Sequence, residues 1–221
     1  MSPTHDILLV TLGGTIESFY TPKFQGIGQA DGTPEIVPLA KHAGDSVVPA
    51  ALDRLGYADH YDHLALAMRD SKHNTTHELD AFMYTLVEHG YKKVVVVQGT
   101  DTMPVQARYV QRRLHEWGLE DCTVVFTGAM GPLRDAQQQW RDPEQDTYKN
   151  DGWHNLSAAM GDVAREPAGV YVRIAPGPHP HKADEIRKFV ALGAPDANGV
   201  RSVVDSGFVA DDPARHRDVR F

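Results

Sequence analysis

A single cysteine, Cys122, excludes an internal disulfide in this chain of 221 residues. Its apolar setting predicts a small buried hydrophobe rather than a reactive thiol. No apolar run approaches the length needed to span a bilayer, so no transmembrane segment is expected. Basic residues are outnumbered, 22 Lys and Arg against 30 Asp and Glu, and the net charge of -8 argues against a nucleic-acid partner. Twelve histidines would carry that charge towards zero under mild acid. Neither G-x-G-x-x-G nor G-K-[ST] occurs, which removes the dinucleotide fingerprint and the phosphate-binding loop. The first six residues, Met1 to Asp6, have neither the basic flank nor the apolar stretch of a signal peptide, so the cytoplasm is the expected location.

What the chain does have is an alternation of strand-like and helix-like segments. Residues 6–12 read as a buried parallel strand, ended by Gly13 and Gly14. Residues 17–50, rich in Pro, Gly, Asp and Thr, read as a loop placed to cover a site. Leu64, Leu66 and Met68 mark a weaker strand that ends at Arg69-Asp70-Ser71. Thr75 and Glu78 have capping-box spacing, followed by Leu79, Phe82, Met83, Leu86 and Val87 at helical intervals and Gly90 as a stop. Strands are predicted over Lys93 to Val97, Thr123 to Phe126 and Gly169 to Ile174. Helices carry Val105, Val110, Leu114 and Trp117, closed by Gly118, and then Leu156, Met160 and Val163. Residues 133–150, with three successive glutamines, read as an exposed insertion; Val200, Val203, Val204 and Phe208 suggest a late hairpin or edge strand. Phe82, Trp117 and Trp153 read as core or interface residues. The expected fold is α/β, a three-layer α/β/α sandwich around a mostly parallel sheet, in one domain over 1–221.

In such a sheet, ligands bind beyond the carboxyl ends of the strands. Those ends deliver Thr15 with Tyr20, Asp70-Ser71, Thr100-Asp101 and Thr127-Gly128-Ala129. Gathered in one crevice, they supply two candidate hydroxyl nucleophiles, a phenol, carboxylates and backbone N–H groups. A threonine hydroxyl attacks only when something removes its proton, and a desolvated lysine or a polarised tyrosine can do so. Asp101 is placed to hold such a lysine, and glycine-turn N–H groups can serve as an oxyanion hole.

Four ordered strings, "LGGTI", "QGTDTM", "TGAMGP" and "DGWHNLSAAM", resemble those of the type I/II bacterial L-asparaginases, the amidohydrolases that include the glutaminase-asparaginases. The match runs through most of residues 6–174 and implies the fold of that family's N-terminal domain. It also implies hydrolysis of a side-chain amide, asparagine to aspartate and ammonia, through a threonine nucleophile and without a cofactor. By this resemblance Thr15 corresponds to the primary nucleophile, Tyr20 to its supporting tyrosine, and Gly14 to a pocket-lining residue. Ser71 corresponds to the contact for the substrate's α-carboxylate. Thr100 and Asp101 correspond to the second threonine and the aspartate that holds the α-amino group, and Ala129 to the carbonyl at the amide. Ile186-Arg187-Lys188 resembles the context of the family lysine, which makes Lys188 the expected partner of Thr100, with Lys182 as its rival.

Three departures stand out. Gln98 occupies the usual histidine position, and Lys72 follows Ser71 where a small polar residue or glutamine is usual, which adds a positive charge to the substrate-binding set. The second domain of the long enzymes is not expected within these residues. These departures leave two rival readings: an amino-acid binding or sensing protein, and a hydrolase of another small amide or lactam. The pairs His60/His63, His73/His77 and His179/His181 have metal-compatible spacing but no accompanying ligands, so no metal is expected. The expected partner is a small-molecule amide, with neither nucleic acid nor membrane, and the family resemblance implies a homodimer or higher homo-oligomer.

Overall fold

The computed structural model describes residues 4–20, 36–38, 46–67, 71–135, 139–143, 151–174, 178–195 and 201–210. Six strands form one sheet in the order β4 (Tyr61–Ala65), β1 (Ile7–Thr11), β5 (Lys93–Val97), β6 (Thr123–Thr127), β7 (Gly169–Arg173) and β8 (His181–Lys182). Every pairing is parallel except β7 with β8. The runs of Val, Leu and Ile in β1, β5 and β6 suit strands covered on both faces.

Alternate residues face two separate cores. Leu8, Val10, Val94, Val96 and Phe126 meet α2 (Thr76–His89) and α3 (Met103–Glu116). Leu9, Val95, Val97 and Val125 meet α1 (Val48–Arg54) and α4 (Gly152–Arg165). This is the expected three-layer arrangement. Among the described residues no helix is long and apolar enough to cross a membrane.

The order of connections locates a crevice. From β1 the chain runs through α1 to the β4 edge; from β5 it runs through α3 the other way, to β6. The adjacent carboxyl ends of β1 and β5 therefore lose their chains in opposite directions, which is the topological switch point of an open sheet. A reversal of hand adds to this. α2 and α3 carry the chain towards the β8 edge on one face, and α1 carries it back on the other. α4 also runs towards β8 but lies on the α1 face, so its crossover is opposite in hand to the other three, a rare departure from the usual preference. The reversal sets the start of α4 against the turn that carries Thr15: a Cβ on Gly152 would stand 3.5 Å from Ile16 Cγ1.

Local signals explain most boundaries. At α2, Thr75 and Glu78 form the capping box, and Gly90 ends the helix in the left-handed conformation at φ 78°. Several expectations are corrected. Val87 is 57% exposed and Val105 62% exposed, so neither belongs to the core face of its helix. The strand before Ser71 runs Tyr61–Ala65, earlier than Leu64 to Met68, while Met68, Arg69 and Asp70 lie outside the described residues. The 17–50 stretch is not all loop: β2 (Ser18–Tyr20) pairs antiparallel with β3 (Ile36–Pro38), and α1 begins at Val48. Residues 21–35 and 39–45 of it lie outside the described set. The 133–150 stretch is not uniformly exposed either. Leu133 is buried, and Trp140 packs on Trp153 with ring centroids 5.5 Å apart; 136–138 and 144–150 are not described. The late hairpin is present as β9 (Ile186–Pro195) and β10 (Arg201–Ala210). Cys122 is buried, as expected.

Candidate active site

The two Gly-Thr strings meet through their backbones. Leu12 N–H donates to Val97 O at 2.8 Å, extending the β1–β5 pairing into the loops. Gly14 then takes φ 96°, and a Cβ placed on it would lie 2.2 Å from Gly99 N and 2.4 Å from Gly99 Cα. Only glycine permits both the conformation and the approach. Thr15 and Thr100, each one residue further on, thus leave the same abutment. Thr15 begins a short 3-10 turn, Thr15–Glu17, closed by Glu17 N–H on Gly14 O at 3.1 Å.

Ser71 packs on the other side of Gly99, with its Oγ 2.9 Å from the position a Gly99 Cβ would take. It is fully buried. Thr102 N–H approaches Ser71 Oγ at 3.4 Å, while Thr102 Oγ1 and Gln106 Nε2 donate to Ser71 O at 3.0 and 3.2 Å. Gly128 closes a further side, its own Cβ position only 2.2 Å from Gln98 O. The strand ends of β1, β5 and β6 and the chain after β4 therefore converge on Gln98 and Gly99. The Gln98 amide is itself fully buried, and among the described residues neither terminal atom has a hydrogen-bond partner.

Lys188 arrives from β9. Arg108 of α3 donates to Ala183 O at 3.3 Å and Ile186 O at 2.9 Å, pinning the chain just before it. Its side chain is 9% exposed, and its Nζ donates to Thr100 Oγ1 at 2.9 Å and contacts the Asp101 carboxylate. Phe208, its cross-strand partner on β10, lies with its ring centroid 5.9 Å from Nζ. Lys182 is 61% exposed and faces Glu185, so of the two lysines Lys188 is the one at Thr100. Thr100 Oγ1 also reaches Met130 Sδ at 3.5 Å. The side chains of Tyr20 and Lys72 lie outside the described set.

Two residues of the "DGWHNLSAAM" string, Asp151 and Asn155, shape the site although the sequence reading gives them no role. Asp151, just before α4, accepts from Met130 N–H at 3.0 Å and from Asn155 Nδ2 at 2.8 Å; Asn155 Nδ2 also donates to Gly128 O at 2.9 Å. Together they hold the 128–130 loop, including buried Ala129, from behind. Burial raises the Asp151 pKa, and the donated hydrogen bonds oppose that rise. The available signal was their i, i+4 spacing at the start of a helix. Glu17 is the third unassigned residue: it is 2% exposed, and burial pushes its carboxyl up to about 7. Among the described residues no three His, Cys, Asp or Glu side chains gather so as to hold a metal ion.

The model of the asparaginase N-terminal domain family matches residues 6–197. The chain belongs to this family. No curated protein matches its sequence. Solved structures of similar fold include L-asparaginase I from Vibrio cholerae, at TM-score 0.53 and 16% identity over 90% of this chain and 51% of that one. The thermostable L-asparaginase from Thermococcus kodakarensis gives 0.51 and 16%, over 81% and 46%. A probable cytoplasmic L-asparaginase from Campylobacter jejuni gives 0.52 and 21%, over 82% and 47%. The asparaginase-family chain described here spans about half the length of each of these structures.

Proposed function

We propose that the chain hydrolyses the side-chain amide of L-asparagine to L-aspartate and ammonia, with Thr15 as nucleophile. The observation that carries the proposal is Lys188 Nζ 2.9 Å from Thr100 Oγ1 and in contact with the Asp101 carboxylate. A hydroxyl held by a largely buried lysine and a carboxylate is equipped to move a proton, and its loop abuts the one that carries Thr15.

In this mechanism Thr15 Oγ1 forms a bond to the amide carbon and the C–N bond breaks. The nitrogen leaves as ammonia, carrying the Thr15 proton, whose removal Tyr20 assists. The oxyanion is met by backbone N–H groups of the glycine turns. Thr100 orients a water and accepts its proton while passing its own to the neutral Lys188 amine, which Asp101 holds in place; the water oxygen bonds to the ester carbon, and the proton returns along the same route to Thr15 Oγ1 as the ester breaks. Ser71 and Lys72 receive the α-carboxylate, Asp101 the α-amino group, and Gly14 and the Ala129 carbonyl flank the amide. In this reading the domain works in the cytoplasm, assembled as a homodimer or higher homo-oligomer, without a cofactor.

Ammonia release from L-asparagine, measured on the purified chain and on Thr15→Ala and Thr100→Ala, tests the assignment. Each substitution is expected to remove most of the release while circular dichroism stays unchanged. Full release in both folded variants would refute it.

A further inference from the structure

The thioether of Met130 touches the hydroxyl on which the proposed chemistry turns. Thr100 Oγ1 donates to Met130 Sδ at 3.5 Å and accepts from Lys188 Nζ at 2.9 Å. A threonine hydroxyl carries one hydrogen, so while that hydrogen points at the sulfur it is withheld from Lys188. A thioether is a weak acceptor and gives the hydrogen up readily. The sulfur is also the accessible one of its kind. Among the described residues, Met83 and Met103 are fully buried and Met160 is 2% exposed, whereas Met130 is half-buried. Cys122, the other sulfur an oxidant could attack, is buried, and that burial pushes its thiol pKa up and leaves little reactive thiolate. The Met130 backbone is fixed. Asp151 accepts from Met130 N–H at 3.0 Å, Asn155 Nδ2 donates to Gly128 O at 2.9 Å, and Ala129 between them is fully buried.

We propose that Met130 is an oxidation site that controls amide hydrolysis: a peroxide converts its thioether to the sulfoxide, and the new oxygen captures the Thr100 hydroxyl proton. In the oxidation a sulfur lone pair forms the S–O bond, the peroxide O–O bond breaks, and the sulfur gives up two electrons. With hydrogen peroxide, the departing hydroxide takes the proton left on the transferred oxygen and leaves as water. The sulfoxide is polar where the thioether was apolar, and its oxygen is the stronger acceptor. Rotation about the flexible Met130 side-chain bonds brings that oxygen to Thr100, where an O–H···O bond closes to about 2.7–2.8 Å. Thr100 then no longer passes its proton to Lys188, so it no longer takes one from the water. The pinned 128–130 loop denies Met130 a retreat by backbone movement. Methionine sulfoxide is reducible, so the block is reversible. This inference rests on the role proposed above for Thr100.

The test treats the full chain and Met130→Leu with graded hydrogen peroxide. Tandem mass spectrometry locates each added oxygen, and ammonia release from L-asparagine is read relative to the same protein untreated. Met130 is expected to oxidise ahead of Met83, Met103 and Met160, with wild-type release falling in step. At full conversion the loss should be about tenfold, the effect of one hydrogen bond that must be broken at each turnover. Met130→Leu, which conserves volume and keeps Cys122, should retain its own release under the same treatment. Unchanged release from wild type fully oxidised at Met130 overturns the proposal. An equal loss in Met130→Leu overturns it too, as does oxidation of the three buried methionines as early as Met130. The capture is read without turnover from the methyl NMR signal of oxidised Met130, in otherwise unchanged protein and in Thr100→Val. Displacement of that signal by Thr100→Val supports the bond, and an identical signal overturns it. If the untreated chain releases no ammonia, the proposed function fails, and the methyl signal and the order of oxidation alone decide the capture.

Discussion

Gly14→Ala probes the abutment on which the site is built. The added Cβ would stand 2.2 Å from Gly99 N, 2.4 Å from Gly99 Cα and 2.7 Å from Gln98 C, where ordinary contact begins near 3.4 Å. All three neighbours are backbone atoms following adjacent central strands, so no rotamer change relieves the overlap and the loops must part by about 1 Å. Holding alanine at φ 96° adds roughly 1–2 kcal/mol. Overpacking adds about 1–3 kcal/mol, for a total of about 2–5 kcal/mol. At roughly 2–4 °C per kcal/mol for a chain of this size, the melting midpoint should fall by about 4–20 °C. Displacing Thr15 relative to Thr100 by about 1 Å should cost on the order of 100-fold in ammonia release. Gly90→Ala separates the two contributions: its φ is 78°, but no atom lies within 4 Å of its Cβ position, so only the conformational cost remains. Calorimetry and the ammonia assay on both variants check this. Gly14→Ala melting within a degree of wild type, at full activity, would refute the close approach of the two loops.

Lys188→Met is expected to lower ammonia release by about 100- to 10,000-fold, the usual range for a proton-transfer group, while Lys182→Met leaves it unchanged. Asp151→Ala strands the Met130 N–H and one Asn155 donor in the interior and should cost about 2–4 kcal/mol in urea unfolding, with weaker substrate binding as the 128–130 loop relaxes. Glu17 makes stability depend on pH. Its folded pKa of about 7 lies above the ordinary value of 4.5, so the native state binds the extra proton between the two. Its contribution is full below pH 4.5, is lost as pH rises to about 7, and is flat above. The loss is roughly 3 kcal/mol, absent from Glu17→Gln and measurable as a thermal midpoint that falls with pH in wild type alone.

Much of the fold was legible because local signals agreed with the global arrangement. Valine-rich runs, the Thr75–Glu78 box and the glycine stops each name an element on their own. A local pattern misleads where its phase decides which face is buried. The core stripe of α3 is Met103, Ala107, Val110 and Leu114. Val105 stands about 140° round the helix from Val110, so counting from Val105 picked the wrong face. Val87 sits at the edge of its stripe rather than within it. The hand of the α4 crossover cannot be read from element order, because alternation of strands and helices does not say which face a helix takes. Thr15 and Thr100 were legible as residues at the ends of neighbouring strands. Lys188 has no local signature; it reaches Thr100 through long-range packing of β9 on α3, and only its sequence context suggested it. Glu17 was invisible because a charged residue after a turn ordinarily faces water.

The most direct measurement is a crystal structure of the chain with L-aspartate bound, which gives the distances from Thr15 Oγ1 and Thr100 Oγ1 to the ligand. The account predicts both hydroxyls within hydrogen-bonding reach of the side-chain carboxylate, with Lys188 still on Thr100. Aspartate bound elsewhere, or the two hydroxyls facing separate surfaces, would contradict it.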